Sequence, residues 1–354
     1  MNRIYFHMHL PMNINSTTRA FCTSVLMLLC ACNSPHHDDV VFLSGLTMGT
    51  TYSVKFTRPA GEIDIGALKR DIDRRLDDIN AKMSTYAADS ELSKINRAGA
   101  GQWLPISEEL YRVIQQAITI SAASHGAFDI TVGPLVNLWG FGPPGRPQHI
   151  PDEQTIKSVM KFTGYQKIHL QESPQAIRKD VDAIYLDLSG IAKGYAVDAV
   201  AALLEEAALH DFMVEIGGEI RARGLNAEGE YWRIGIEKPV TDERAFARVI
   251  HLRDTGMATS GNYRNFYDRD RGRYAHIIDP VTGKPVVQQL ASVTVLDQAC
   301  MVADAWATAL FVLGPDKGMQ LVQTLHMPVL FIVSTDTGFT ERMTDEFKAY
   351  LAED

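Results

Sequence analysis

Short strand-like stretches at hairpin spacing are what most constrain this chain. Phe212–Ile216, Trp232–Glu237, Val249–Arg253, Tyr274–Ile278, Ser292–Leu296 and Val329–Ser334 have strand character, with Gly, Asp or Pro between most of them. Thr51–Thr57 alternates like a further strand, and Ile184–Leu188 reads as a short buried one. Helical spacing enters at few places. Ile65, Leu68, Ile72, Leu76 and Ile79 fall on one helix face. Ser107 stands as an N-cap, with Glu108 and Glu109 in the first turn and Gly126 just past the end. Val197, Val200, Leu204 and Ala207 mark a helix from 191 to about 209, and another runs from about 301 to 313. Strands and helices alternate only partly, which argues against a doubly wound parallel sheet. The expected class is α+β, with largely antiparallel sheets and packed helices.

The N-terminal segment reads as an export signal. Arg19 precedes an apolar run, Ala20–Cys30, too short to span a bilayer as a permanent helix. Leu29-Cys30-Ala31-Cys32 then resembles a bacterial lipobox. Residues 1–31 are expected to be a lipoprotein signal peptide, Cys32 the lipidated residue, 32–42 a tether and 43–354 the folded domain. An ordinary cleaved signal would change the anchoring and keep the compartment. Cys300 is then the one cysteine in the folded part, so no internal disulfide forms and the fold rests on its core. The chain has 34 Lys and Arg against 43 Asp and Glu, and Arg3 and Arg19 leave with the signal, giving a charge of about −11. That excludes a nucleic-acid binder held by its overall field. An anionic ligand must be met by local positive charge or by a metal.

Residues 186–198, LDLSGIAKGYAVD, supply such a place. A carboxylate (Asp187), a tight turn (Ser189, Gly190) and a lysine (Lys193) stand at the mouth of a helix. Free N–H groups and the positive end of the helix dipole attract an anion there. The spacing is neither that of a P-loop nor that of a dinucleotide fingerprint. Asp304 and Thr308 are four apart on a predicted helix, so both oxygens face one side and suit a hard cation such as Mg²⁺.

Further segments share this chemical character. They are Met48-Gly49-Thr50-Thr51-Tyr52, Met83-Ser84-Thr85-Tyr86, Ala127–Leu135 with Trp139–Gly142, Glu215–Ile220, Ala258–Tyr263, Ala275–Pro280 and Ala303–Thr308. In this order, from about Leu46 to Leu313, the chain closely resembles the ApbE family of FAD:protein FMN transferases. The resemblance implies a single compact catalytic unit of two subdomains. It implies a magnesium-dependent reaction in which FAD is cleaved at its pyrophosphate, FMN passes to a threonine or serine hydroxyl of a partner protein, and AMP leaves. Met48, Tyr86, Ala127, Phe128, Asp129, Asp187, Lys193 and Ile278 match positions that contact the cofactor. The Gly190 carbonyl, Asp304 and Thr308 match the metal site, with Asp304 and His276 as catalytic candidates. Asn262 stands where Asp is common in the family, and Ser189 where glycine is usual. The expected partners resemble subunits of sodium-pumping quinone reductases and related electron-transport complexes. These place the chain on the periplasmic side, with the inner membrane favoured. Two other readings use the same residues: an FAD pyrophosphatase with water as acceptor, and a non-catalytic flavin-binding lipoprotein.

Overall fold

The computed structural model describes residues 40–145, 149–239, 246–261, 266–269 and 272–352. The signal segment, Cys32 and Asn262 lie outside the described residues. The chain enters through a hairpin, β1 (Val40–Thr47) and β2 (Thr50–Thr57), paired from Val40↔Thr57 to Thr47↔Thr50. Residues 40–42, expected in the tether, are therefore sheet. Met48 and Gly49 turn the hairpin with φ of 48° and 73°, the left-handed backbone that a two-residue turn requires.

α1 (Ile65–Met83) buries Leu68, Ile72, Leu76 and Ile79, the face expected from their spacing. α2 (Glu91–Arg97), β3 (Leu104–Pro105) and α3 (Glu108–Ala123) follow. Ser107 caps α3 by accepting from the Leu110 N–H at 3.3 Å. α4 (Gly133–Trp139), α5 (Glu153–Met160) and the hairpin of β4 (Ile168–Glu172) and β5 (Gln175–Lys179) lead to α6 (Ala192–Glu206). α6 stops short of 209 because Ala208, at φ 57°, turns the chain, which leaves Ala207 exposed.

β6 (Phe212–Ile216), β7 (Glu219–Arg223), β8 (Trp232–Glu237), β9 (Phe246–Leu252) and β10 (Thr255–Gly261) come next. They are followed by β11 (Phe266–Arg269), β12 (Gly272–Ala275), β13 (Ile278–Asp279), β14 (Lys284–Pro285) and β15 (Leu290–Asp297). The strand expected over Tyr274–Ile278 is broken at His276, which sits in a bend between β12 and β13. α7 (Cys300–Leu325) keeps the expected stop near 313: Gly314 leaves helical geometry (φ 77°, ψ 173°) just before Pro315. β16 (Val329–Thr335), β17 (Gly338–Met343) and α8 (Asp345–Lys348) complete the described chain.

Eight strands form the main sheet in the order β1-β2-β6-β7-β10-β15-β16-β17, with antiparallel neighbours throughout. Its central strands are covered on both faces, and the two-residue period of a strand divides their side chains between two cores. Ala258, Val293, Val295, Val329 and Phe331 enter a large cluster with residues of α1, α3, α6 and α7. Ile220, Met257, Leu296, Leu330 and Ile332 face the other way and pack with Trp232 and Ile234 of β8 and Phe347 of α8. Leu135, Trp139, Ile156 and Ile278 make a third, smaller cluster. Val40–Asp354 forms one compact unit.

Candidate active site

The segment before α6 is held by side chains rather than by a strand. Ile184, Leu186 and Leu188 are buried as the sequence predicts, but residues 184–188 join no sheet. Asn96 grips Leu186 at both backbone groups, accepting its N–H at 2.7 Å and donating to its carbonyl at 2.9 Å. The Ile130 carbonyl accepts the Asp187 N–H at 2.8 Å. Lys179, buried on β5, donates to the carbonyls of Asn96, Asp182 and Ile184 at 3.1–3.3 Å. Burial on both sides produces the apolar alternation of a strand, while the ladder partners are replaced by an amide and an ammonium.

This clamped segment delivers the turn. The Ser189 N–H donates to Asp187 Oδ1 at 2.8 Å, so part of Asp187 is used in shaping the turn. A Cβ placed on Gly190 would lie 3.0 Å from Thr308 Oγ1 and 3.2 Å from Phe128 Cε2. The turn backbone, the α7 hydroxyl and the Phe128 ring therefore meet, although 118 and 180 positions separate Gly190 and Phe128 from Thr308 in the sequence. Ser260 of β10 lies 3.5 Å from Thr308, oxygen to oxygen.

Asp304, one turn before Thr308, is buried at the first turn of α6. Its Oδ2 accepts the Gly194 N–H at 3.0 Å, so it serves as a cap for a helix whose own N-cap residue, Ile191, offers no side-chain bond. Lys193 places its ammonium 2.6 Å from Glu219 Oε1 and 3.9 Å from Asp304 Oδ1. Burial raises the Asp304 pKa, with Lys193 and the Gly194 N–H acting the other way. Burial also pushes Glu219 up to about 7, against the pull of Lys193. Burial works against the Lys193 charge, but Asp304 and Glu219 outweigh it and hold the ammonium above its ordinary range. Glu219, within the Glu215–Ile220 segment, is a site residue that sequence motifs alone do not identify. Its signal was the alternation of β7, which puts Glu219 and Arg221 on the helix-covered face, where Arg221 pairs with Asp198 of α6 at 2.8 Å.

The remaining expected residues fall into two groups. Tyr86 is 71% exposed, and its hydroxyl donates to the Phe141 carbonyl at 3.1 Å. Burial of that hydroxyl and the nearby Asp187 charge raise its pKa. The Phe141 ring in turn meets His276 edge to face at 6.5 Å. His276, Phe141, Tyr86, Asp187, Gly190 and Thr308 thus form one run of neighbours. Met48 packs against the large core from the hairpin turn. Ala127 and Phe128 are buried, and the Ile278 side chain lies in the third cluster. Asp129 is held by its own turn. It is buried, and its carboxylate accepts from the Thr131 N–H (2.8 Å), the Thr131 hydroxyl (2.6 Å) and the Tyr165 N–H (2.9 Å). Burial raises its pKa against these bonds. Its oxygens shape the turn at Ile130–Val132. Asp279 shapes a turn, accepting from the Val281 N–H and the Thr282 hydroxyl, each at 2.8 Å.

The ApbE family matches residues 48–331. The FAD:protein FMN transferase of Vibrio cholerae serotype O1 is 45% identical over 327 residues, spanning 92% of this chain and 97% of that protein. The protein of the same description from Haemophilus influenzae is 44% identical over 331 residues, spanning 92% and 95%. Among solved structures, the flavin transferase ApbE from Vibrio cholerae matches with a TM-score of 0.82 at 44% identity, covering 88% of this chain and 99% of that one. The apo form of the Pseudomonas stutzeri flavinyl transferase ApbE also gives 0.82, at 36% identity, covering 89% and 98%. The mixed helical and antiparallel architecture of this chain matches these two solved structures.

Proposed function

The chain belongs to the ApbE family, and from that membership we propose that it transfers FMN from FAD to a threonine or serine of a partner protein. The acceptor oxygen attacks the phosphorus on the FMN side of the pyrophosphate. The bond from that phosphorus to the bridging oxygen breaks, AMP leaves with that oxygen, and the hydroxyl proton passes to a base. Phosphoryl transfer of this kind depends on positioning and on neutralising phosphate charge. One observation carries the reading: Gly190, Lys193, Asp304 and Thr308 converge at the first turn of α6.

The donor chemistry fits Mg²⁺. Gly190 and Thr308 are in contact, Asp304 keeps Oδ1 outside hydrogen-bond distance of Lys193, and all the donors are oxygen. Among the described residues no three His, Cys, Asp or Glu side chains converge as a metal site, so a cation here would take one carboxylate and neutral oxygens. Asp304, Thr308 and the Gly190 carbonyl would hold it. Bound there, Mg²⁺ would offset charge on the pyrophosphate. Lys193 adds a fixed positive charge to the same mouth. His276, one ring from Tyr86 through Phe141, is assigned as the base for the acceptor hydroxyl. Exposed Tyr86 offers an aromatic face to the flavin or adenine.

We assign the acceptors to periplasm-facing subunits of sodium-pumping quinone reductases and related electron-transport complexes. The chain would be anchored beside them through lipid on Cys32, with the inner membrane favoured. The apolar run Ala20–Cys30 and the lipobox-like residues support this. Among the described residues no helix is long and apolar enough to cross a membrane, so attachment in this reading rests on Cys32. The test is intact-mass analysis of such an acceptor after incubation with the soluble chain, FAD and Mg²⁺. A gain of one FMN, abolished by EDTA and by Asp304→Ala, is the expected result. Release of FMN and AMP with an unmodified acceptor would favour hydrolysis, and no FAD turnover would reject the assignment.

A further inference from the structure

We infer that Glu219 is a positioning residue that keeps Asp304 open to a cation by drawing the Lys193 ammonium away from it. The inference rests on the metal assignment above. An ammonium between two carboxylates can settle on either one. Here Lys193 makes a charge-assisted hydrogen bond to Glu219 at 2.6 Å and stays 3.9 Å from Asp304 Oδ1, beyond hydrogen-bond length. Its stem passes Gly217, where an added Cβ would lie 3.5 Å from Lys193 Cδ.

The arrangement has a use because both acids are almost fully enclosed, with 4% of Glu219 and 3% of Asp304 exposed. Asp304 has one oxygen on the Gly194 N–H, which leaves Oδ1 as its remaining ligand atom. Arg221, the next cation along β7, is already on Asp198 at 2.8 Å. Lys193 is thus the near rival of a metal at Asp304. Glu219 Oε2 is buried with no hydrogen-bond partner among the described residues. Two acids against one ammonium leave this enclosed place short of positive charge, which favours a further cation. Without the Glu219 carboxylate, Lys193 would fall onto Asp304 Oδ1 and occupy the metal's oxygen.

The experiment is Mn²⁺ titration followed by electron paramagnetic resonance, without FAD, on the natural chain, Glu219→Gln, Lys193→Met and the double variant. Circular dichroism checks the fold of each. Glu219→Gln should weaken Mn²⁺ binding about tenfold, and adding Lys193→Met to it should restore most of that loss as a non-additive coupling. Lys193→Met alone should change binding less than about threefold, because in the natural chain the lysine is already held aside. Additive effects of the two substitutions would overturn the inference, since Glu219 would then act by charge alone. Should Glu219→Gln not fold, Lys193→Met decides: about tenfold tighter binding would show that Lys193 already competes and overturn the inference. No Mn²⁺ binding to the natural chain would instead reject the metal assignment itself, and this inference with it.

Discussion

A methyl group on Gly194 would lie 2.4 Å from the Cys300 carbonyl oxygen and 2.8 Å from Asp304 Cβ. α6 and α7 touch backbone to backbone at this point, and the same residue gives Asp304 its N–H. Alanine inside a helix is ordinarily favoured over glycine by about 1 kcal/mol. Overpacking against an immobile carbonyl costs about 3 kcal/mol, so the clash wins. Gly194→Ala should therefore lower the melting temperature and weaken Mn²⁺ binding together. Gly190→Ala is the informative contrast, because its new Cβ would meet the rotatable Thr308 hydroxyl and the Phe128 ring edge at 3.0 and 3.2 Å. It should lose less stability than Gly194→Ala while still impairing Mn²⁺ binding. Calorimetry and Mn²⁺ titration of both variants check this, and an unchanged melting temperature for Gly194→Ala would refute the close-approach argument.

At the scale of elements, three helices are tied by one acid. Glu109 of α3 receives Arg75 and Lys82 of α1 and the Tyr195 hydroxyl of α6, the last at 3.0 Å. Burial alone would raise its pKa, but these partners outweigh it and hold the carboxyl at about 2, below the ordinary 4.5. A pKa depressed by folding gives stability that is present above the unfolded value and lost as pH falls through the folded one. Glu109→Gln should thus cost on the order of 3 kcal/mol at most near neutral pH. The difference from the natural chain should shrink between pH 4.5 and about 2. Urea unfolding across that range measures it, and a difference independent of pH would show that the network contributes through packing instead. Such ties bear on what the sequence reveals. The face Leu68, Ile72, Leu76 and Ile79, the Ser107 cap and β6 and β8 to the residue were legible because each depends on neighbours a few positions away. Ile184–Leu188 misled because its hydrogen-bond partners, Asn96 and Ile130, are distant in sequence. The broken strand at His276 and the inward carboxylate of Asp129 depend likewise on tertiary neighbours. The pairing of Lys193 with Glu219 has no periodic signature, since it joins a helix to a strand.

For the whole molecule, site and core share the same elements. Asp304 and Thr308 lie on α7, which also puts Ala305, Trp306, Leu310 and Phe311 into the large cluster. The tryptophans offer a direct test of unity. Trp306 belongs to the large cluster, Trp232 to the second and Trp139 to the third, while Trp103 is exposed. Trp139 also reaches across sequence, donating its ring N–H to the Gly283 carbonyl at 2.8 Å and stacking on Tyr274 at 5.5 Å. Two independent subdomains would let the reporters melt separately, whereas one compact unit binds them to a single transition. Three variants, each keeping one buried tryptophan with the others changed to phenylalanine, should give coincident fluorescence midpoints in urea. Each midpoint should agree with far-ultraviolet circular dichroism of the same variant. A lower midpoint for the Trp139 reporter alone would separate the cluster holding Ile278 from the rest, and would place the His276 side of the site on an element able to open by itself.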